Sequence, residues 1–463
     1  LYVIGFIIIT TTIYLIIPMF FDYEKSKDRI ENKIYSEFNL KSSIRGKIKY
    51  NLFPSPQIKI KNLLIKDLVN SDKNLGEVEN AVLKIPFKKL ISLNKINFNR
   101  LELNDAKIKL NLNQINQYKK FFTKQFQSKD IKISDGSIVL LDGEKFLATL
   151  SKIDLKYHAS SIIDETTFKG KFQNENIVIN IKNKKTKNPT KIITIKLLNL
   201  KFRANIILSS PDSENYVHGK SLLTLNRNKA DLKFNWKDSL IKITSGNVKN
   251  KFLNGKIDGD INFLPFFNFN LNLDLSSLNF GSMKKKLLKM DNDSINNLFT
   301  LNDKINGNLN LNVNKIYSGS KLIKSLESRI QFINQDILIE QMLIDFGKLG
   351  AADVTGLIKN ENNHSNFSFK KNLFIDNAKY FYSRFGIYNK STEPENLYIS
   401  GNFNLKNQKI RFDELVTNNK LNKEDINYYQ SEFNQIVLEN GYKSLFDFFK
   451  LKEFINAIAS AKE

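Results

Sequence analysis

The chain has 463 residues, and its 71 Lys+Arg against 47 Asp+Glu give a formal net charge of +24. That length suits two or three ordinary domains or one elongated, repetitive one, and the lack of cysteine excludes a disulfide framework and any thiolate metal site. The lysines are scattered over polar strand positions among many Asn, Ile and Phe, and the longest unbroken basic run is Lys284–Lys286, so the charge reads as compositional bias rather than a nucleic-acid footprint.

The first 21 residues, Leu1–Phe21, carry no charged side chain. At a rise of about 1.5 Å per residue such a helix reaches roughly 31 Å, the hydrocarbon thickness of a bilayer. The following "PMFFDYEKSKDRIENK" has no small-residue cleavage site. The expectation for 1–21 is therefore an uncleaved transmembrane anchor. The flank from Asp22 to Lys33 holds four acids and four bases, which leaves the positive-inside rule silent. Tyr23, Ile30, Ile34 and Phe38 then recur at helical spacing, predicting a connecting helix over 22–40 that carries the chain away from the membrane.

From 41 to 412 the pattern changes to alternation. "QIKIKNLLIKD" (57–67), "AVLKIPF" (81–87), "DIKISDGSIVLLDG" (130–143) and "ADLKFNW" (230–236) are followed by "NFNLNLDL" (268–275), "NGNLNLNVN" (306–314), "SNFSFK" (365–370) and "SGNFNLKN" (400–407). Asp135-Gly136, Asn254-Gly255, Asp258-Gly259 and Asn306-Gly307 are expected as tight hairpin turns. In "ISLNKINFNRLELNDAKIKLNLN" (91–113) the apolar parity runs through Ile96 and Phe98, slips to Leu101 and Leu103, and slips again to Ala106, Ile108, Leu110 and Leu112. Each slip predicts a bulge or bend. The segments 114–127 and 283–299 interrupt the strands, and a break between two repeats is expected near 281–300. After Asp413, residues 413–463 read as two helices split at Asn440-Gly441. In the last of them Leu445, Phe448, Leu451, Ile455 and Ile458 form the stripe, with Phe449 at its margin and Phe446 and Phe454 outside it.

The fold class expected is mainly β: an elongated, curled, antiparallel-rich sheet with an apolar groove, an N-terminal transmembrane helix and C-terminal helices. The polar parity is Asn and Lys and faces water. The apolar parity either packs on a second sheet, as in a sandwich, or stays open as a cleft suited to acyl chains. The candidate lining residues are Phe98, Ile108, Leu110, Leu112, Phe267, Phe269, Leu271, Leu273, Leu309, Leu311, Val313, Phe403 and Leu405.

Catalysis has little support. His158, His218 and His364 lie far apart, with no HExxH motif and no carboxylate at ligand spacing. No Gly-rich phosphate loop precedes a helix, and Trp236 reads as packing. No enzyme activity, cofactor or metal is expected. Nucleic acid is not an expected partner either, because the aromatics are mostly Phe on the apolar parity rather than stacking groups among basic clusters.

The chain also resembles the AsmA family of Gram-negative envelope proteins. The family's "P-x-I-x-I-x-x-L-x-I-x-D" stands here as Pro56, Ile58, Ile60, Leu63, Ile65 and Asp67. Its "I-x-x-L-x-L-x-x-A-x-I-x-L" is matched by Leu101, Leu103, Ala106, Ile108 and Leu110, with Phe98 in the first position. "ISDGSIVLLDG" (133–143) with "LSKIDLKY" (150–157), and "GNVKNKFLNGKIDGDINFLPFFNFNLNLDLSSLNF" (246–280), are similar to its strand signatures. The likeness covers most of 1–410 and stops before the C-terminal helices. It implies a single-pass inner-membrane anchor, a periplasmic β-groove, and phospholipid as the partner sheltered or transferred in support of the outer membrane. The alternative is an envelope assembly factor that holds a protein partner through sheet edges and the C-terminal helices.

Overall fold

The computed structural model describes residues 10–460 apart from 68–73, 88–96, 115–128, 173–174, 227, 264–266, 290–304, 319–320, 362–363, 408, 418–420 and 441–447. The chain is mainly β. It divides into two compact units, Leu1–Pro211 with Ser221–Asn226, and Asp212–Lys220 with Arg227–Glu463. The division falls near 211–227, while the expected break at 281–300 lies inside the second unit.

In the first unit, helix α1 (Lys27–Phe38) ends at Asn39, whose left-handed φ of 53° turns the chain and lets its N–H reach Tyr35 O at 2.8 Å. Tyr23, Ile30, Ile34 and Phe38 are all buried against the sheet. The predicted helix is thus present, and it packs into the core of the first unit. Strands β1 (Ser42–Ile44) and β2 (Ile48–Asn51) both pair with β3 (Gln57–Lys66), which pairs with β4 (Asn74–Lys84), and β4 with β5 (Arg100–Asn111), all antiparallel. β5 runs parallel to β6 (Asp130–Asp142). An antiparallel run follows through β7 (Lys145–His158), β8 (Ile163–Phe172), β9 (Glu175–Lys184), β10 (Thr190–Leu197) and β11 (Phe202–Pro211). Parallel neighbours need a long crossover, and the expected interruption at 114–127 falls in that connection. Residues 115–128 lie outside the described residues.

The parity slips have a backbone cause. Asn62, Asp105, Asp135 and Lys152 have φ of 51°, 56°, 52° and 50°, and they sit on β3, β5, β6 and β7. Each left-handed residue absorbs one step of alternation, so Ile60 and Leu63, or Leu103 and Ala106, face the same core across it. The spacings "I-x-x-L" and "L-x-x-A" are that fault line written in sequence. The slip at Asn99-Arg100 has another origin. Phe98 lies on the loop before β5, buried, with its N–H on the Glu37 carboxylate at 2.7 Å. Lys129 Nζ pairs with the same carboxylate at 2.9 Å, so the buried acid is compensated. Ile96 lies outside the described residues.

Strand β12 (Val217–Leu225) has residues in both units. The second unit continues with β13 (Asn228–Lys237), β14 (Leu240–Lys249), β15 (Leu253–Asn262) and β16 (Phe267–Asn279), paired antiparallel. β16 is parallel to β17 (Ile305–Val313) and β18 (Ile316–Tyr317). The intervening crossover begins with helix α2 (Phe280–Leu287), where Asn279 accepts from Ser282 N at 2.9 Å. This is the interruption expected at 283–299, of which 290–299 lie outside the described residues. Antiparallel pairing resumes from β17 through β19 (Ser325–Ile333), β20 (Asp336–Asp345), β21 (Gly350–Glu361), β22 (His364–Ile375), β23 (Glu395–Asn404) and β24 (Lys409–Val416). Helix α3 (Ala378–Ser383), capped by Asn377 on Tyr380 N at 3.0 Å, joins β22 to β23 and was not predicted.

The expected Asx-Gly turns are corrected. Gly136, Gly255, Gly259 and Gly307 lie inside β6, β15, β15 and β17. A Cβ at Gly307, whose φ is 156°, would come 2.6 Å from the Phe269 ring, so the glycine makes room for an aromatic neighbour. Hairpin reversals instead use Gly143 (φ 63°) and the pair Asn334 and Gln335 (φ 47° and 73°).

The chain closes with α4 (Lys423–Asn440) and α5 (Phe448–Ser460). Tyr429 OH donates to Ala457 O at 3.1 Å, which ties the two helices together. Phe454 and Ile458 are buried on β23 and β24, with Phe454 stacked on Phe412 at 6.1 Å. Phe454 therefore belongs to the packed stripe, contrary to expectation, and Phe449 is exposed. Leu445 and Phe446 lie outside the described residues.

Of the expected anchor, residues 1–9 lie outside the described residues, 10–16 are helical, and Ile17–Phe20 form a 3-10 turn. Among the described residues no helix is long and apolar enough to cross a membrane. Tyr14 OH donates to Phe87 O at 2.9 Å, and Tyr50 OH donates to Leu15 O at 3.1 Å.

Candidate functional site

In the first unit the strand register lines up apolar side chains in rows that cross the sheet. Leu103 pairs with Ile133, Ile133 with Leu155, Leu155 with Phe168, Phe168 with Ile179, Ile179 with Ile195, and Ile195 with Ala204. A neighbouring row runs Ile181, Ile193, Ile206. At the β3–β5 end this face is sealed by α1. At the β8–β10 end the strands pack substantially only on neighbouring strands among the described elements. Leu155, Phe168, Ile179 and Ile195 are accordingly only half-buried. The opposite face is polar, with Thr194 Oγ1 donating to Asn205 Oδ1 at 3.2 Å.

The second unit repeats the arrangement. One row runs Ile261, Phe269, Gly307, Phe332, Ile337, Ile358, Phe367, Phe403 and Ile410. The Phe269 and Phe332 rings meet over Gly307 with centroids 5.4 Å apart. Beside it, Leu271 lies opposite Leu309, Leu273 opposite Leu311, and Leu275 opposite Val313. The other face carries a polar ladder. Asn272 donates to Asp258 at 2.8 Å, Asn310 donates to Asn272 at 2.9 Å, and Arg329 donates to Gln341 at 2.6 Å. With Asp274, Asn312 and Glu327 these side chains line an open polar recess.

The predicted residues separate by how deeply they are covered. Phe98, Val313, Phe403 and Leu405 are buried: Phe98 in the α1 core, Val313 with Leu275 and Ile316, and the last two in the cluster under α4 and α5. They are packing positions, because helices or neighbouring core groups cover them. Ile108 and Leu110 are half-buried on the α1 core, and Leu112 lies beyond β5 on a 3-10 turn. Phe269, Leu271, Leu273, Leu309 and Leu311 are half-buried on one face, and Phe267 is exposed at its end. Ile108 and Leu110 belong to the first unit and the Phe267–Val313 set to the second. Leu155, Phe168, Ile179 and Ile195 escaped sequence reading. The strands of Ile179 and Ile195 ("NIVINI", "KIITIKL") put Ile or Val on both parities, which hides the face, and Phe168 has only Thr166 and Gly170 as same-side neighbours.

Among the described residues, the histidines near these faces serve as surface staples. His158 Nδ1 lies 2.9 Å from Asp130, which also binds Arg100 at 3.0 Å. Burial works upward on the Asp130 carboxyl, but the Arg100 guanidinium, the Ala159 N–H and His158 outweigh it and hold that group below the usual range. This is a surface staple between β6 and the end of β7. His218 bridges Asp212 and Asn235 at 3.0 and 2.8 Å. Among the described residues no cluster could hold a metal ion. Comparison with protein-family models and with curated proteins gives no match.

Proposed function

We propose that the chain is an inner-membrane-anchored protein of the Gram-negative envelope, its bulk in the periplasm, that shelters or transfers phospholipid along an apolar groove formed by its sheets, as members of the AsmA family it resembles do. One observation carries this reading: the half-exposed row Leu155, Phe168, Ile179 and Ile195, with no described helix over β8–β10. Fully withdrawing one such side chain from water is worth about 1.5–3 kcal/mol, so the open face leaves a large gain unrealised until something apolar covers it. Soluble surfaces rarely leave a contiguous patch of this kind bare. Acyl chains fit the row, since it is continuous across strands and has polar side chains such as Thr194 and Asn205 on its reverse. The envelope assembly factor remains the second reading, favoured by the exposure of Phe449 (77%) and Tyr428 (55%) on the C-terminal helices.

A photo-crosslinking residue at Ile195 is expected to capture phospholipid in cells, while one at Thr194, on the reverse face, captures little. Protein adducts at 195 in place of lipid would favour the assembly reading, and equal labelling at both positions would remove the groove. The anchor is tested separately. Carbonate extraction should leave the intact chain in the membrane pellet, and deletion of residues 1–21 should release it. A full-length chain that washes off is not anchored.

A further inference from the structure

The apolar face of the second unit is interrupted by a lysine. On β22 the inward positions run Phe367, Phe369, Lys371, Leu373, Ile375, and Lys371 lies opposite Val354 on β21 and Ile399 on β23. Lys371, half-buried, therefore enters the apolar side of the sheet with hydrocarbon side chains at both of its cross-strand positions. It lines a half-open cavity of about 520 Å³, walled on the other side by α2, α3 and α5 through residues such as Gly281, Phe381 and Ile455. That volume lies within the range of about 300–1,000 Å³ typical of small-molecule clefts and cavities.

No carboxylate among the described residues pairs with the Lys371 ammonium. Burial alone holds it below the ordinary lysine range, with no neighbouring charge contributing. The other titratable side chains on the wall are Lys284, a second cation, and Tyr382, whose OH is committed to Glu395 at 2.9 Å. Ser318 Oγ also lines the cavity, buried and without a hydrogen-bond partner. An uncompensated ammonium and an unsatisfied hydroxyl in an otherwise apolar chamber are costly to keep. The same two groups are complementary to an anion carried on a hydrocarbon chain.

We propose that this cavity is a discrete binding site for one single-chain anionic amphiphile, its carboxylate or phosphate paired with Lys371 and its acyl chain against the apolar wall. The inference rests on the reading that the apolar faces hold lipid, and it adds a specific, charge-selecting chamber to an otherwise unselective surface. Native mass spectrometry of the full chain, released from detergent and incubated with oleate, 1-oleoyl lysophosphatidate or oleyl alcohol, tests it. Both anions should bind one per chain, ~10- to 100-fold more tightly than the alcohol, as a charge-assisted hydrogen bond allows. Retention of one anion only identifies carboxylate or phosphate as the true headgroup. Lys371→Met should erase the preference for anions and Lys371→Arg should keep it. Ile455→Trp, which fills the chamber from the α5 side without altering the sheet, should abolish all three ligands.

Undiminished anion binding by Lys371→Met, or wild-type binding of oleyl alcohol as tight as that of oleate, overturns the site. Should Lys371→Met fail to fold, the contrast between Lys371→Arg and Ile455→Trp decides in its place. If the chamber binds nothing while a crosslinker at 195 still captures phospholipid, this inference alone falls. If the chamber selects anions while 195 captures nothing, the open-face reading falls instead.

Discussion

Ile34→Ala is expected to lower the stability of the first unit by about 2–5 kcal/mol. Ile34 is completely buried and sits between Ile30 and Phe38 on the inner side of α1, over a cluster that includes Ile58, Ile60, Leu63, Val78 and Leu101. Removing three carbons there leaves a cavity that the surrounding strands, fixed by their ladders, cannot collapse to fill. Tyr35→Ala is the matched control, because Tyr35 is 52% exposed on the outer side, and should stay within about 0.5 kcal/mol. Denaturant unfolding with amide hydrogen exchange on β3–β5 separates local from global loss. A loss from Ile34→Ala as small as that expected from Tyr35→Ala would show that α1 contributes nothing to the core.

The periodicity of Tyr23, Ile30, Ile34 and Phe38 was legible in the sequence, but what the helix does with that stripe was not. Spacing tells which side of a helix is apolar, and only the fold supplies what lies against it. The strands show the same division. Alternation places β3, β6, β16 and β17 well, since period two is a property of the pleat itself. The slip at Asn104-Asp105 was visible as a slip, and its cause, a left-handed residue that recurs on several neighbouring strands, appears only in the backbone. Asx-Gly misled for a related reason. The dipeptide signals a positive φ or a missing Cβ, and within these sheets both needs arise in mid-strand: at Gly259 the neighbouring backbone of Asn270 and Leu271 occupies the space, and at Gly307 the Phe269 backbone and ring do. The interruptions at 114–127 and 283–299 were visible as breaks in pattern. Their meaning, crossovers between the parallel pairs β5–β6 and β16–β17, depends on which strands become neighbours.

The candidate site was half legible. Phe269, Leu271 and Leu273 could be assigned to one face because Asn fills every alternate position. Ile179 and Ile195 could not, because their strands carry Ile or Val on both sides, and Phe168 could not, because its same-side neighbours are Thr166 and Gly170. Phe403 and Leu405 looked identical in pattern to the open positions, yet they lie under α4 and α5, and no periodicity within a strand reports the helix that will cover it. Lys371 is the converse case. In "NFSFKKNLFI" it reads as one more solvated lysine, and only the register against Val354 and Ile399 turns it inward.

Depth of cover along a single face gives the sharpest test of the groove. Val313→Asp should unfold the second unit. Val313 has no exposed surface and packs with Leu275 and Ile316, so its carboxylate would find neither water nor a partner, at a cost on the order of several kcal/mol. Leu271→Asp lies on the same face and on the neighbouring strand, between Gly259 and Leu309, but it is only half-buried. There the carboxylate can tilt toward water over the glycine, and the loss should be about 1–2 kcal/mol. What Leu271→Asp should remove is phospholipid: the amount co-purifying with the folded chain should fall severalfold, because an ion now stands where an acyl chain must lie. Asn308→Asp is the control on the wet side, flanked by Asn270 and Gln331 with no charge beside it, and should change neither stability nor lipid. The three variants differ in what lies over the substituted position while the chemistry added is the same. If Leu271→Asp unfolds the unit as Val313→Asp does, the face is a sealed core and the lipid reading fails with it. If Leu271→Asp folds and keeps its full complement of phospholipid, the face is open but nothing apolar is bound there.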